Sequence, residues 1–359
     1  MGHARATRER LMVTAAVLTY DGIELLDTVL NSLARQSFED FRTVVVDNGS
    51  TDGTGAWLAE RWPGVEVISL PQNVGVTAGL NRCLAAAEGS EFALLLNDDV
   101  ELDPNCIERL VADLRAHPQA GAAGAKLLDF SRRELLDGAG DIYSWAGIAH
   151  RRGQGEEDRG QYDGLPDVFG ACGAAAMYRV SALAAVGQFD EQLYAYCEDT
   201  DWCFRARLAG FGCRFVPGAR VYHVGSASLG ARISDFTLYQ NWRNQIWLVA
   251  KNYPAAALVR HLPDLLLGVG ATFYVAVRHR SVKVWLRAWR DALCGLPELL
   301  AKRRAVQRSR RVAPGELDEV IESGFGKLRW WLAGSGRATA PAAARQDAEE
   351  RSRPAAEER

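Results

Sequence analysis

Short apolar runs alternate with helix-spaced apolar positions through the first hundred residues. Leu11 to Leu18 (LMVTAAVL) is a continuous apolar segment of strand length. Leu25, Leu26, Val29, Leu30 and Leu33 then recur at helical spacing. The β-branched run Thr43 to Val46 predicts a second strand, and a short helix is expected after Gly53. Val65 to Leu70 reads as a third strand and Val76 to Ala87 as a helix. Phe92 to Leu96 (FALLL) reads as a fourth strand, with Pro104 suited to the first turn of the helix beyond it. Strand–helix alternation at this spacing predicts an α/β chain with a mostly parallel sheet and right-handed crossovers.

The pattern loosens from about Leu127 to Tyr178, where Gly-rich and polar stretches such as GQGEEDRGQYDG predict a long loop over a site. A helix from Glu198 to Ala209 should end at Gly210, followed by short strands near Cys213–Val216 and Arg220–Tyr222. Beyond Ser234 the chain reads as helices to about residue 333. The tail from Ser335 has almost no large apolar residues and is expected to be disordered. The expected organisation is a flexible arm over 1–10, a catalytic domain over 11–233, a helical region over 234–334 and a tail over 335–359.

The chain of 359 residues carries a net charge of −3, so no general attraction to nucleic acid is implied. Its charge is uneven: Arg278 to Arg311 holds eleven Lys/Arg against Asp291 and Glu298. Just before it, Leu265 to Val277 (LLLGVGATFYVAV) is apolar but shorter than the ~20 residues that a membrane span needs. Apolar surface beside basic residues reads as a peripheral membrane contact; a core helix followed by a solvated basic helix explains the same pattern. Seven cysteines, an odd number without CxxC pairs, favour reduced thiols. The N-terminus MGHARATRER lacks an apolar signal core. Together these predict a cytoplasmic location, with any membrane contact at the inner face.

Three polar clusters close the first, second and fourth strands: Thr19-Tyr20-Asp21, Asp47-Asn48-Gly49-Ser50-Thr51-Asp52-Gly53 and Asn97-Asp98-Asp99. Open parallel sheets bind ligands beyond the carboxyl ends of their strands. One cluster is explained as a turn, since Asn, Asp and Gly suit turn backbones; three together point to a site. No GxGxxG follows the first strand, which argues against a nicotinamide cofactor. Adjacent acids closing an apolar strand suit a hard divalent cation, Mg2+ or Mn2+, shared with a diphosphate; a helix cap is the simpler alternative. Glu198-Asp199 opens a helix after an aromatic stretch, where a partly desolvated carboxylate can act as a general base. Asp201 and Arg205 are spaced as a helical ion pair. His223, before a run of small residues, is a candidate metal ligand.

In order, the segments VLTYDG, VVVDNGSTDGT, PQNVGVTAGLN, LLLNDDVEL, GACGAAAMYRVSALAAVGQFDEQLYAYCEDTDWCFR and VYHVGSAS resemble the family-2 glycosyltransferases of GT-A fold, especially the bacterial rhamnosyltransferase-like group. The resemblance runs from about Leu11 to Val249. It implies an inverting transfer of sugar from a nucleotide-diphosphate donor, TDP-rhamnose in this subgroup, to a glycan or lipid-linked acceptor. Asp47 would bind the base or ribose, with Asn48 and Ser50 beside it, and Thr19, Tyr20 and Asp21 flanking the nucleotide. Asn73 and Gly79 would line the diphosphate pocket. Asn97-Asp98-Asp99 takes the place of the family's Asp-x-Asp motif, with Asp99 the metal-binding acid and His223 a further ligand. Asp199 would be the base, with Glu198 beside it, and Trp242-Arg243 would lie on the acceptor side. The Gln-x-x-Arg-Trp motif of processive synthases is absent in that order, which implies addition of one or a few sugars. A nucleotidyltransferase would carry a basic Gly-rich loop where TYDGIELL stands, and a non-catalytic subunit has no physical need for the four residues Asp47, Asp99, Asp199 and His223.

Overall fold

The computed structural model describes residues 11–225 and 234–325. The arm over 1–10, the tail over 335–359 and the end of the VYHVGSAS segment lie outside the described residues. The first half runs β1 (Val13–Thr19), α1 (Ile23–Ala34), β2 (Phe41–Asp47), α2 (Thr54–Arg61), β3 (Glu66–Ser69), α3 (Val76–Ala86) and β4 (Phe92–Asn97). These follow the hydrophobic pattern to within a few residues. Strand β1 pairs in parallel with β2 and β4, and β2 with β3, so the clusters after Thr19, Asp47 and Asn97 share one edge. Alternation along β1 turns Val13, Ala15 and Val17 to one face and Ala16 to the other. The first face packs on Leu26, Val29, Leu30 and Leu33 of α1, and the second on Leu80 and Leu84 of α3. Both faces are covered, which is why these strands are apolar throughout rather than alternating.

The chain continues through β5 (Val100–Leu102), α4 (Cys106–Ala116), β6 (Ala120–Asp129), β7 (Leu136–Gly138), β8 (Asp141–Ser144), β9 (Ile148–Arg151), β10 (Asp167–Val168) and β11 (Ala175–Arg179). Residues 127–178 are therefore not a long loop. Short strands interrupt this segment, with β8 and β9 an antiparallel hairpin and β11 antiparallel between β4 and β6, while the Gly-rich stretch GQGEEDRGQYDG remains an irregular connection between β9 and β10. After α5 (Val180–Val186) and α6 (Glu198–Leu208) comes β12 (Gly212–His223), a single strand where two were expected. Its register with β6 shifts between Val216 and Arg220, so the Pro217-Gly218 interruption is a bulge rather than a break. The order across the large sheet is β10-β12-β6-β11-β4-β1-β2-β3.

Among the described residues the named helices that follow are α7 (Asp235–Asn252), α8 (Ala255–Arg260), α9 (Leu262–Arg278), α10 (Val282–Cys294) and α11 (Leu296–Ser309). Helix then gives way earlier than expected, to a 3-10 segment at Pro314–Glu319 and a two-residue strand β13 (Ile321–Glu322) that pairs with β8. A buried ionic seam joins this region to α6. Asp201 accepts from Arg205 at 2.9 Å, the pairing its spacing suggested, and also from Lys251 and Asn252 at 2.8 Å each. Lys251 and Lys302 both reach Asp190 at 2.5 Å. Burial alone would raise the Asp201 carboxyl, but Lys251 and Arg205 outweigh it and hold it down at about 2. No described helix is long and apolar enough to cross a membrane.

Candidate active site

The strand ends and the N-termini of α3 and α6 enclose a cavity of about 610 Å³. One wall is polar and comes from the clusters after β1, β2 and β4. Asn48 is buried and cross-links two loops: its Oδ1 accepts from Val74 N at 3.1 Å, and its Nδ2 donates to Asn73 Oδ1 and Gly75 O at 3.3 Å each. Thr19 Oγ1 donates to Asp98 Oδ2 at 2.7 Å. Thr19, Tyr20, Asn48, Asn73, Asn97 and Asp98 all line the cavity.

Asp21, Asp47, Ser50 and Gly79 do not line it. Asp47 is buried and caps its own turn by accepting from Ser50 N at 2.8 Å, while Asp21 accepts from Thr51 N at 2.7 Å. Gly79 lets α3 approach β1, since a Cβ there would stand 2.6 Å from Leu18 Cδ1.

The adjacent acids after β4 face opposite ways. Asp98 points into the cavity, where burial, with the Asp99 charge adding to it, raises its carboxyl to about 6. Asp99 turns towards the end of β12, where its Oδ2 accepts from Gly225 N at 3.0 Å. Its buried Oδ1 makes no hydrogen bond and stands 3.4 Å from His223 Nε2. The other imidazole nitrogen, Nδ1, is 2.7 Å from Asp137 Oδ2, and Asp137 is paired with Arg151. Burial opposes a charged imidazole, but the Asp137 hydrogen bond and the close Asp99 carboxylate prevail and raise His223 to about 9. Among the described residues no group of three or more His, Cys, Asp or Glu is gathered to hold a metal ion. Asp99 and His223 face each other, with Asp137 behind the imidazole.

The opposite wall carries Glu198 and Asp199. Asp199 accepts from Gly173 N at 3.0 Å and from Thr200 N at 2.6 Å, which fixes the carboxylate at the cavity. Gly173 permits this approach: a Cβ there would come within 3.1 Å of Asp199 Oδ2. Burial raises Glu198, and the Asp199 charge raises it further, so Glu198 keeps its proton to higher pH than an ordinary glutamate.

The glycosyl transferase family 2 model matches residues 14–187, which carry the polar wall and end before Glu198 and Asp199. The chain is a glycosyltransferase whose first half is similar to family 2. In sequence it is 28% identical over 245 residues to the N-acetylglucosaminyl-diphospho-decaprenol L-rhamnosyltransferase of Mycobacterium tuberculosis, covering 61% of this chain and 78% of the relative. It is 27% identical over 212 residues to an N-acetylglucosaminyltransferase of Rhizobium meliloti, covering 56% and 48%. In fold it is similar to S. aureus TarS residues 1–349 in complex with UDP, at TM-score 0.53 and 20% identity, covering 82% of this chain and 88% of that one. It is also similar to GalNAc-T7 with UDP, GalNAc and Mn2+, at TM-score 0.56 and 16% identity, covering 69% of this chain and about half, 49%, of that one. These likenesses establish the GT-A fold.

Several residues of this site were not expected from the sequence. Asp137, Asp141 and Arg151 come from the segment read as a loop, although two acids four apart around Gly138-Ala139-Gly140 are an available signal. Asp141 and Arg151 line the cavity. Trp242 and Arg243 do not: Trp242 packs with Leu238, Ala276 and Ala288, and Arg243 lies over the Trp247 ring at 4.5 Å. Asn244, beside them, is fully buried, and its Nδ2 reaches the carbonyls of Leu193, Ala195 and Tyr196 at 2.8–2.9 Å. It thereby holds the segment that leads into Glu198, where Tyr194, Tyr196 and Cys197 have φ of 63°, 67° and 66°.

Proposed function

We propose that the enzyme transfers a sugar, rhamnose from TDP-rhamnose, to a hydroxyl of a lipid-linked glycan, with inversion at the anomeric carbon. The observation that carries this reading is the cavity itself, with Asp199 on one wall and Thr19, Asn48, Asn73 and Asp98 on the other. The nucleotide diphosphate is assigned to the polar wall, with Asp47 and Asp21 acting through the turns they brace. Asp199 takes the proton from the acceptor hydroxyl as its oxygen attacks the anomeric carbon. One displacement needs one base and no covalent nucleophile. The rhamnosyl donor and the lipid-linked acceptor are suggested by the name of the Mycobacterium tuberculosis relative.

The Asp99–His223 pair fits a divalent cation, Mg2+ or Mn2+. A buried carboxylate oxygen lacking a hydrogen bond faces an imidazole nitrogen, and the diphosphate would complete the ligand shell. When bound, such an ion neutralises the departing nucleoside diphosphate. Asp137 orients the His223 ring, and Arg151 balances the Asp137 charge.

Peripheral contact with the inner face of the cell membrane belongs to the same reading. Leu262, Leu266, Phe273 and Val277 form an exposed stripe along α9, which runs into exposed Arg278, Arg280 and Lys283. Liposome co-sedimentation tests it: binding to anionic vesicles should be lost in Leu266→Glu/Phe273→Glu, and retention would count against the contact.

Thermal-shift binding of UDP, TDP and GDP, each with and without Mn2+, tests the reading as a whole. TDP should stabilise the protein in a metal-dependent way that Asp99→Asn removes. No shift with any nucleotide would refute it.

A further inference from the structure

The mouth of the cavity is not uniform. Three aromatic rings, Tyr194, Tyr196 and Phe236, also border the cavity at 40%, 40% and 48% exposure, with Tyr194 against Gly75 at the edge of the polar wall. Tyr194 and Tyr196 lie in the segment directly before the base, and Phe236 comes from the first turn of α7. Phe236 lies 6.3 Å from Tyr194 at 79° and 6.5 Å from Tyr196 at 57° between ring centroids and planes. Tyr196 is further tied to α7 by a 3.2 Å contact between its hydroxyl and Thr237 Oγ1.

Two features set this cluster apart from incidental exposed aromatics. The first is its backbone. Tyr194 and Tyr196 both occupy positive φ, a conformation that bulky side chains rarely adopt. Such strain persists only where the surroundings enforce it, and it gathers at functional sites. Here Asn244 enforces it through the carbonyls of Leu193, Ala195 and Tyr196. Gly75 also leaves room for the Tyr194 ring, which a Cβ would meet at 2.6 Å. The second feature is position: the rings border the same cavity as Asp199, with Asn241 of α7 contributing a polar group beside them.

We infer that Tyr194, Tyr196 and Phe236 form the acceptor subsite and receive the apolar C–H face of a pyranose ring, holding one of its hydroxyls towards Asp199. A pyranose suits the site because one face of the ring presents C–H groups to aromatic rings while its edge presents hydroxyls to polar groups such as Asn241 and Asp199. The inference rests on the glycosyltransferase reading above and assigns the half of the cavity that the nucleotide does not use.

The test is saturation-transfer NMR with octyl pyranosides of N-acetylglucosamine, galactose and rhamnose, recorded with TDP present. The expected result is saturation of the ring C–H protons of at least one glycoside. Its affinity should fall by about tenfold or more in Tyr196→Ala and in Phe236→Ala, and be nearly kept in Tyr196→Phe, which preserves the ring. The TDP thermal shift of each variant reports that its fold and donor half are intact. Saturation confined to the octyl chain, no binding of any glycoside, or equal binding by both alanine variants would each overturn the subsite. Absence of nucleotide binding by the unsubstituted protein would instead overturn the glycosyltransferase reading, so the two failures are told apart.

Discussion

Replacing Asn244 by Ala should cost both stability and activity, and the amount can be worked from its contacts. The Nδ2 group has two hydrogens to share among the carbonyls of Leu193, Ala195 and Tyr196, at 2.9, 2.9 and 2.8 Å. Its Oδ1 accepts from Arg243 Nε at 3.0 Å and Nη2 at 2.9 Å. Alanine leaves two carbonyl bonds unmade in a fully buried position, at roughly 1–3 kcal/mol each. Some of this is recovered if one of Tyr194, Tyr196 and Cys197 relaxes from positive φ, worth roughly 1–3 kcal/mol. A net loss of about 2–3 kcal/mol is expected, or a fall in Tm of roughly 3–4 °C for a chain of this length. That same relaxation moves the residues leading into Asp199, so kcat should drop by about 10²-fold, as for a catalytic group displaced by an ångström. Urea and thermal denaturation give the first quantity, and transfer rate per folded molecule gives the second. Asn244→Asp is the sharper control. It is nearly isosteric but turns a donor into an acceptor facing three carbonyls, so it should be worse than alanine. A Tm within about 1 °C of the unsubstituted protein for Asn244→Ala, or a better tolerated aspartate, would refute the clamp.

Asp199→Asn should lower transfer by about 10²–10⁴-fold and leave the nucleotide thermal shift unchanged, since the donor wall is untouched. Asp137→Asn should weaken Mn2+ binding, followed by electron paramagnetic resonance of the free ion, by about 10–100-fold; unchanged affinity would remove Asp137 from its role behind His223. Lys251→Met should destabilise the protein by about 2–3 kcal/mol in urea, because it removes a shared cation from two buried acids and leaves Asp201 with Arg205 and Asp190 with Lys302. The sign of the pH effect follows from Asp201, whose carboxyl is held at about 2 in the folded chain by Lys251 and Arg205 despite its burial. Its contribution is fully present above the ordinary aspartate value near 3.8 and is lost as pH falls towards 2. Lys251→Met should therefore flatten the acid limb of the stability curve.

The parallel half of the sheet was legible because its strands are apolar runs ended by turn residues. Strand β6 was not, because AGAAGAKLLD offers small residues and a lysine rather than β-branched positions. Strands β7 to β9, of three or four residues each, leave no period to count, and so the segment holding Asp137, Asp141 and Arg151 passed for a loop. Asp201 and Arg205 could be paired from their spacing along one helix. Lys251 and Lys302 could not be added, because only tertiary packing brings them there. Nor does any local pattern distinguish Asn244, whose partners lie about fifty residues earlier, from an ordinary helical asparagine.

The ionic seam between α6 and the C-terminal helices bears on how the chain can be divided. The family pattern ends at residue 187, just before Asp190 and Asp201, and both acids take their lysines from residues 251 and 302. A truncation that respects the pattern removes the proposed base; one that ends after β12 keeps it but leaves Asp190 without Lys251 and Lys302, and Asp201 with Arg205 alone. The segment that is similar across the family is therefore smaller than the piece that can fold alone, and chimeras between relatives should exchange α6 together with α7 and α11.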